Sequence, residues 1–335
     1  MSAVEYPFAE PEVGVPQRIG NGVEWIRLPL PFPPHHVNVF RIATDRGAIL
    51  VDTGFNNAAT AEAWQTLGEP PASQVLVTHF HPDHIGQAAR MEAAGATIHV
   101  PAPELAQARA LHEVTDTQMQ ATFAAFFAAQ GLAVPEAGAI HGNRYKKAVP
   151  NLPRRSRPLV AGALPFAPDW RVRFAGGHSP AHALLVRGES PVIAAGDILL
   201  PTITPNISVW PSAPDADPLG EYLAALEGLR DLPSDTLVLP AHGLPYRRVH
   251  ERIEALMAHH EARLDLLRVA VKSGTALSGA DAIPRLFGSE IKPASLPFAL
   301  GEALAHLNRL WHLGEFERTR NPDGVYRYQT GLLLQ

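Results

Sequence analysis

In the first hundred residues, apolar positions come in short β-branched runs. Residues 48–51 end at Asp52-Thr53-Gly54 and residues 74–78 end at His79, the pattern of buried strands closed by turn chemistry. Between them, residues 58–67 and 85–94 are alanine-rich with helical spacing, so the chain starts in a β-α-β-α rhythm. A second group of apolar runs, 171–175, 183–187, 192–195 and 236–239, predicts further strands. Two strand-rich halves, each with helices, predict an α/β fold: a four-layer αββα sandwich of helix, sheet, sheet and helix. Residues 101–168 break the rhythm with two helices, 104–112 and 117–130, and an irregular stretch from 143 to 158. They are expected to form a helical insertion over the site. From residue 250 the pattern turns to helices at 250–272, 279–287 and 295–313. A hairpin follows, 315–319 and 325–329 around Asn321-Pro322-Asp323-Gly324. The expected layout is an N-terminal extension (1–22), a sandwich domain (23–248, insertion at about 101–168) and a C-terminal helical, winged-helix-like domain (249–335).

Composition narrows the partners. The chain has 335 residues, 46% of them hydrophobic, enough for a sizeable core. A net charge of -5 removes the basic field of a protein that grips phosphate backbones, so nucleic acid is disfavoured. The first twenty residues carry acids and prolines where an export signal needs a basic start and an apolar run, and the expected location is cytoplasmic. No run approaches the ~20 apolar residues of a membrane span. Cysteine is absent, so any metal must be held by imidazole and carboxylate; sixteen histidines are available.

The chemistry concentrates in Thr78-His79-Phe80-His81-Pro82-Asp83-His84-Ile85-Gly86, directly after a strand. Residues i and i+2 of an extended segment point the same way, so His79 and His81 can hold one metal together. Asp83 and His84 fall where the chain turns into a helix, aimed at a neighbouring position. Four ligand-type side chains in six positions are hard to explain by packing, because buried imidazoles and carboxylates need partners. Further candidates sit beside glycine or proline at later strand ends: His178 in Gly177-His178-Ser179-Pro180, Asp197 in Gly196-Asp197, and His242 in Ala241-His242-Gly243. Other features read as packing or surface first. Met119, Phe123, Phe126 and Phe127 share a helix face, with a substrate wall as the second reading. Arg144, Lys146, Lys147, Arg154, Arg155 and Arg157 read as a solvated surface, with attraction of an anionic head group second. His35 and His36 read as surface loop, His259 and His260 as solvent-facing or at a domain interface, and Trp210 as core or pocket wall.

On these motifs the chain resembles the metallo-β-lactamase superfamily over about residues 23–248, in the branch of glyoxalase II, lactonases and thioesterases. The C-terminal layout resembles lactamase-B-like proteins with a winged-helix tail. The resemblance implies that His79, His81 and His178 bind one divalent metal, that Asp83, His84 and His242 bind a second, and that Asp197 bridges them. It also implies zinc, with manganese or iron as alternatives, and outer-layer roles for Asp52 and His182. Ala181 stands where relatives often have glycine, outside the ligand positions. The expected function is a metal-dependent hydrolase that cleaves a thioester, lactone or related carboxylic ester with a metal-bound hydroxide, Asp83 serving as catalytic proton shuttle. The expected partners are a small ester-type substrate and, through the C-terminal module, a second copy of the chain. Alternatives are a mononuclear iron persulfide dioxygenase, a phosphodiesterase or nuclease, and a non-catalytic metal-stabilised protein that binds a partner or DNA. The full Asp83, His84 and His242 set argues against the first and the acidic balance against the second. Seven ligands spread over two metals leave room for water, which argues against the third. The substrate contacts are not legible in the sequence.

Overall fold

The computed structural model describes residues 4–68, 70–133, 144–272 and 275–331. Two compact units divide the chain: residues 1–113, 144–205 and 228–253 form one, and 114–143, 206–227 and 254–335 the other. The first unit is a mixed α/β sandwich. Its larger sheet runs in chain order through β1 (Gln17–Arg18), β2 (Val23–Pro29), β3 (His36–Thr44), β4 (Gly47–Val51), β5 (Gln74–Leu76), β6 (Thr97–Pro101) and β7 (Arg157–Leu159). Pairing is antiparallel as far as β4 and parallel from β4 to β7. Interleaved are α1 (Ala58–Thr66), α2 (Pro82–Ile85), α3 (Ala88–Ala93), α4 (Ala102–Glu113) and α6 (Arg144–Ala148). The second sheet holds β8 (Gly162–Leu164), β9 (Ala167–Ala175), β10 (His182–Arg187), β11 (Val192–Gly196) and β12 (Leu237–Pro240), in the spatial order β12-β11-β10-β9-β8.

Strand periodicity explains the layers. On β2, Val23 and Trp25 face one way and Ile26 and Leu28 the other; β3 and β4 alternate likewise, with Phe40, Ile42, Ile49 and Val51 against Val37, Val39 and Leu50. The first set meets Trp170, Val172, Leu185, Ala194 and Leu239 of the second sheet. The other set packs on Trp64 of α1, Ile85 of α2, and Ala88 and Met91 of α3. Strands buried on both faces read as nearly unbroken apolar runs, and each large side chain so buried contributes about 1.5–3 kcal/mol.

The helix expected over 85–94 is two helices, α2 and α3, separated at Gly86 and Gln87. At Gly86 the chain passes other backbone too closely for a side chain: a Cβ there would lie 2.4 Å from the Pro82 carbonyl oxygen and 2.7 Å from that of Gly54. The irregular stretch contains α6 and β7, and its first position, 143, lies outside the described residues.

The second unit contains α5 (Asp116–Ala129), most of α7 (Pro218–Gly228) and α8 (Val249–Lys272), α9 (Gly279–Phe287), α10 (Leu296–His312) and the hairpin β13 (Phe316–Arg320) and β14 (Tyr326–Thr330). Leu277 adds a bridge to Tyr328. Thus α5, from the stretch read as an insertion, groups with the C-terminal helices. The polar residues of α10 are used internally. The Asn308 amide donates to the carbonyls of Pro214 and Ala216 and accepts from the Tyr328 hydroxyl, and Arg309 pairs with Asp217 at 2.9 Å. His260, expected at the surface or a domain interface, is fully buried, as is His306. His306 Nδ1 donates to the Glu302 carbonyl, so its Nε2 accepts from His260 Nδ1 at 3.2 Å. His260 Nε2 has no hydrogen-bond partner among the described residues and packs beside the Tyr222 ring. No described helix is long and apolar enough to cross a membrane.

This packing generates two predictions. Gly86 has helical dihedrals, φ -54 and ψ -36, so propensity alone would make Gly86→Ala stabilising by ~1 kcal/mol. The backbone contacts reverse that, and denaturant unfolding should show a loss of about 1–3 kcal/mol; a stabilised variant would disprove the close approach. The second concerns acid. Burial, then the neighbouring imidazoles and Arg263, push His260 down to about 3; burial and the nearby Arg263 and His259 push His306 down to about 4. Unfolded, both titrate near ~6.5. Between those values the unfolded chain binds more protons, so their stabilisation is complete above about pH 6.5 and is lost as pH falls towards the folded values. By pH 5 the second unit should lose on the order of 1–2 kcal/mol per histidine. The double variant His260→Phe/His306→Leu should show a flatter pH profile of unfolding, and an unchanged profile would exonerate the pair.

Candidate metal centre

One edge of the sandwich collects the polar chemistry. It comprises the C-terminal ends of β4, β5, β9, β11 and β12 and the first residue of β10, which carry Asp52, the 78–84 segment, His178, Asp197, His242 and His182. Parallel strands end on the same side, which is why loops distant in sequence meet here. The ligand-type atoms fall into two groups, His79, His81, His178 and Asp197, and Asp83, His84 and His242, with the atoms of each group within 4.8 Å of one another. In the first group His79 Nε2 lies 2.8 Å from His81 Nδ1 and 3.2 Å from His178 Nε2. In the second, His242 Nε2 is 3.4 Å and His84 Nε2 3.8 Å from Asp83 Oδ2. Asp197 divides its carboxylate: Oδ2 faces His178 at 3.3 Å and His79 at 3.9 Å, and Oδ1 faces His242 at 3.5 Å and His84 at 3.6 Å.

Three inward nitrogens are oriented from behind. His84 Nδ1 donates to Asp52 Oδ2 at 2.8 Å, His242 Nδ1 donates to the His36 carbonyl at 2.9 Å, and His79 Nδ1 lies 3.0 Å from Thr78 Oγ1. Asp52 also accepts from the Thr78 backbone and hydroxyl, and it does so from a left-handed conformation, φ 63, that a short acidic side chain tolerates better than most. His182 Nε2 accepts from the Asp197 backbone N–H at 3.2 Å, and its ring stacks on His79. Gly196, at φ 50, has no room for a side chain, since a Cβ would fall 2.4 Å from the His182 ring.

The electrostatics are those of a cation site. Burial, then His84 and His81, drive His79 well below the ordinary imidazole range. Burial also opposes charge on His84, but Asp52, Asp83 and Asp197 outweigh it and hold the ring well above that range. Burial likewise opposes ionisation of Asp197, and His84 and His242 overcome it to hold its carboxyl well below the carboxylate range. His84 Nε2 and Asp197 Oδ1 are buried with no hydrogen-bond partner among the described residues. Ligand atoms in a tetrahedral zinc site with bonds of about 2.0–2.1 Å stand roughly 3.4 Å apart, and the separations above straddle that value. Two orphaned buried atoms aimed at one space, together with a nitrogen and oxygen donor set, fit a dimetal site.

All seven candidate ligands are therefore brought together, and Asp52 and His182 lie directly behind them. Sequence reasoning missed several supports. His36 was expected on a surface loop but is buried: its Nε2 accepts from the Gly243 N–H, and Arg27 flanks its Nδ1. Asn38 donates to the carbonyls of Pro240 and Gly243 and accepts from Trp25 Nε1. A usable signal existed, since His36 and Asn38 are polar residues two apart in an apolar strand. Glu104, which accepts from the Phe80 N–H, and Tyr145, which donates to the Phe80 carbonyl, gave none. Of the basic cluster, Arg144, Lys146 and Lys147 lie on α6 with Tyr145. Arg154 and Arg155 donate backbone N–H groups to Glu92, and Arg157 lies on β7.

Comparison with known proteins gives the family. The family model described as Metallo-beta-lactamase superfamily matches residues 32–242, and the one described as Metallo-beta-lactamase-like, C-terminal domain, matches residues 265–331. The chain is similar to the crystal structure of a beta-lactamase domain protein from Burkholderia ambifaria, with 35% identity and a TM-score of 0.85 over 98% of this chain and 99% of that one. It is also similar to a metallo-beta-lactamase family protein from Thermus thermophilus, with 29% identity and a TM-score of 0.78 over 93% of this chain and 100% of that one. No curated protein sequence matches it. With a family model spanning most of the sandwich and a relative aligned along nearly its whole length, the chain belongs to the metallo-beta-lactamase superfamily.

Proposed function

We propose that this chain is a dinuclear metal-dependent hydrolase of ester-type bonds, meaning a thioester, lactone or related carboxylic ester. The observation that carries the reading is the divided carboxylate of Asp197, with one oxygen towards each ligand group. His79, His81 and His178 would hold one cation, Asp83, His84 and His242 the other, and Asp197 both. Zinc suits the set, with manganese or iron as alternatives. Two bound dications would acidify a water and polarise the substrate carbonyl.

The chain's own residues supply the rest. Asp83 belongs to the second group and faces His84 and His242 through Oδ2. We assign its carboxylate the task of orienting the attacking water, taking its proton and delivering it to the departing alkoxide or thiolate. Asp52, the His36 carbonyl and Thr78 keep the Nε2 atoms of His84, His242 and His79 turned inward throughout. On α6, Tyr145 donates to the Phe80 carbonyl between His79 and His81, which anchors the exposed Arg144 and Lys147 near the site, where they favour anionic esters. Leu277, α8 to α10 and the hairpin read as a winged-helix-like packing module, because Asn308 and Arg309 of α10 are engaged within their own unit.

Protein purified without added metal should carry about two zinc or manganese ions per chain and turn over a thioester and lactone panel. Asp83→Ala should lower kcat by about 10²–10⁴-fold. A single iron with oxygen consumption on a persulfide, or unchanged turnover in the variant, would overturn the reading or the role of Asp83 respectively. The double variant Arg144→Glu/Lys147→Glu should raise KM several-fold for anionic esters and leave neutral ones unchanged. Equal effects on both would remove α6 from substrate selection.

A further inference from the structure

Glu104 has no place in the chemistry above, yet it is fully buried and has no salt-bridge partner among the described residues. It lies in the first turn of α4. Its Oε1 accepts from Ser179 Oγ at 2.8 Å and from the Ala181 N–H at 2.5 Å, and its Oε2 accepts from the Phe80 N–H at 3.1 Å. All three neighbours donate to it, and the two backbone N–H groups can do nothing else, so both carboxylate oxygens are engaged as acceptors. Burial pushes its pKa up, and the same three hydrogen bonds oppose that shift. Phe80 separates His79 from His81, and Ser179 and Ala181 follow His178. One side chain therefore ties together the two loops that carry the imidazoles of the first ligand group. Asp83, His84 and His242 are supported differently, with Asp52 behind His84 and the His36 carbonyl behind His242.

Charge points the same way. Four carboxylates serve the site, Asp83 and Asp197 in the ligand groups and Asp52 and Glu104 behind them. A buried carboxylate without a local cation is costly unless positive charge lies close by.

We infer that Glu104 is a positioning residue for one metal of the pair: by clamping the Phe80 peptide to the Ser179–Ala181 turn, it sets the affinity of the His79, His81 and His178 group and leaves the other group untouched. The inference rests on the dinuclear reading above. Glu104→Gln keeps the size of the side chain, removes its charge and sets an amide N–H against groups that are themselves donors. Tyr145→Phe removes a contact to the Phe80 carbonyl, on the other side of the same residue, without touching the Ser179–Ala181 turn.

The test is a chelator titration of purified holoprotein, with metal content read at each step. The wild type should release two metals. Glu104→Gln should release one of them at about 10- to 100-fold lower chelator and the other as the wild type does. The single metal left should follow the release curve of His81→Ala, which damages the same group directly, and Tyr145→Phe should stay close to wild type. Co(II)-loaded Glu104→Gln should show a changed visible spectrum at full occupancy and lose that change as the first ion leaves. Two metals held with the wild-type curve would overturn the inference, as would equal weakening of both with a lowered melting temperature, since that is the signature of a general packing role. A wild-type protein that never holds two metals would overturn the dinuclear reading itself.

Discussion

Three of the imidazoles that face the centre of this site have the second nitrogen engaged by a fixed partner. Asp52 holds His84, the His36 carbonyl holds His242 and the Thr78 hydroxyl holds His79. Without those hydrogen bonds the rings could exchange tautomers or rotate, and a cluster of buried imidazoles would repel any shared charge. The sandwich can be read as the frame that brings these partners into place. Asp52 and Thr78 follow two of the strands, and His36 and Asn38 open a third. Core packing between the sheets thus sets the ligand geometry through the outer layer of hydrogen bonds.

The same constraint explains what could be read from the sequence. Four candidate ligands share one short segment, and the others sit beside glycine or proline at strand ends, so a local pattern was enough to find them. The strands β10, β11 and β12 were legible for the same reason, being apolar runs closed by turns. What escaped were contacts between distant positions: Asn38 to Pro240, Glu104 to Ala181, and Phe80 to Tyr145. An acid in the first turn of a helix is ordinary, and only the fold shows that Glu104 points inward at two loops. The crowding at Gly86, between α2 and α3, escaped as well, because the close approach of other backbone is invisible in a one-dimensional pattern.

The second unit shows what becomes of the polar residues on a helix. On α10 the polar residues include His306, Asn308 and Arg309. In the fold the asparagine closes the ends of a neighbouring turn, the arginine meets Asp217, and His306 accepts from a second buried histidine. The hydrogen-bond needs of these three side chains are met within their own unit.

The Asn38 amide joins the second strand-rich half to the first across 202 residues. Contacts of such separation form late, because a long loop must be closed before they contribute. In the order of synthesis, His79, His81, His178 and Asp197 all precede residue 200, while the second group lacks a member until His242 emerges and β12 pairs with β11. A growing chain therefore holds every residue of the first group before the second can close, and the finished pair of groups is a mark that the last strand of the sandwich has docked.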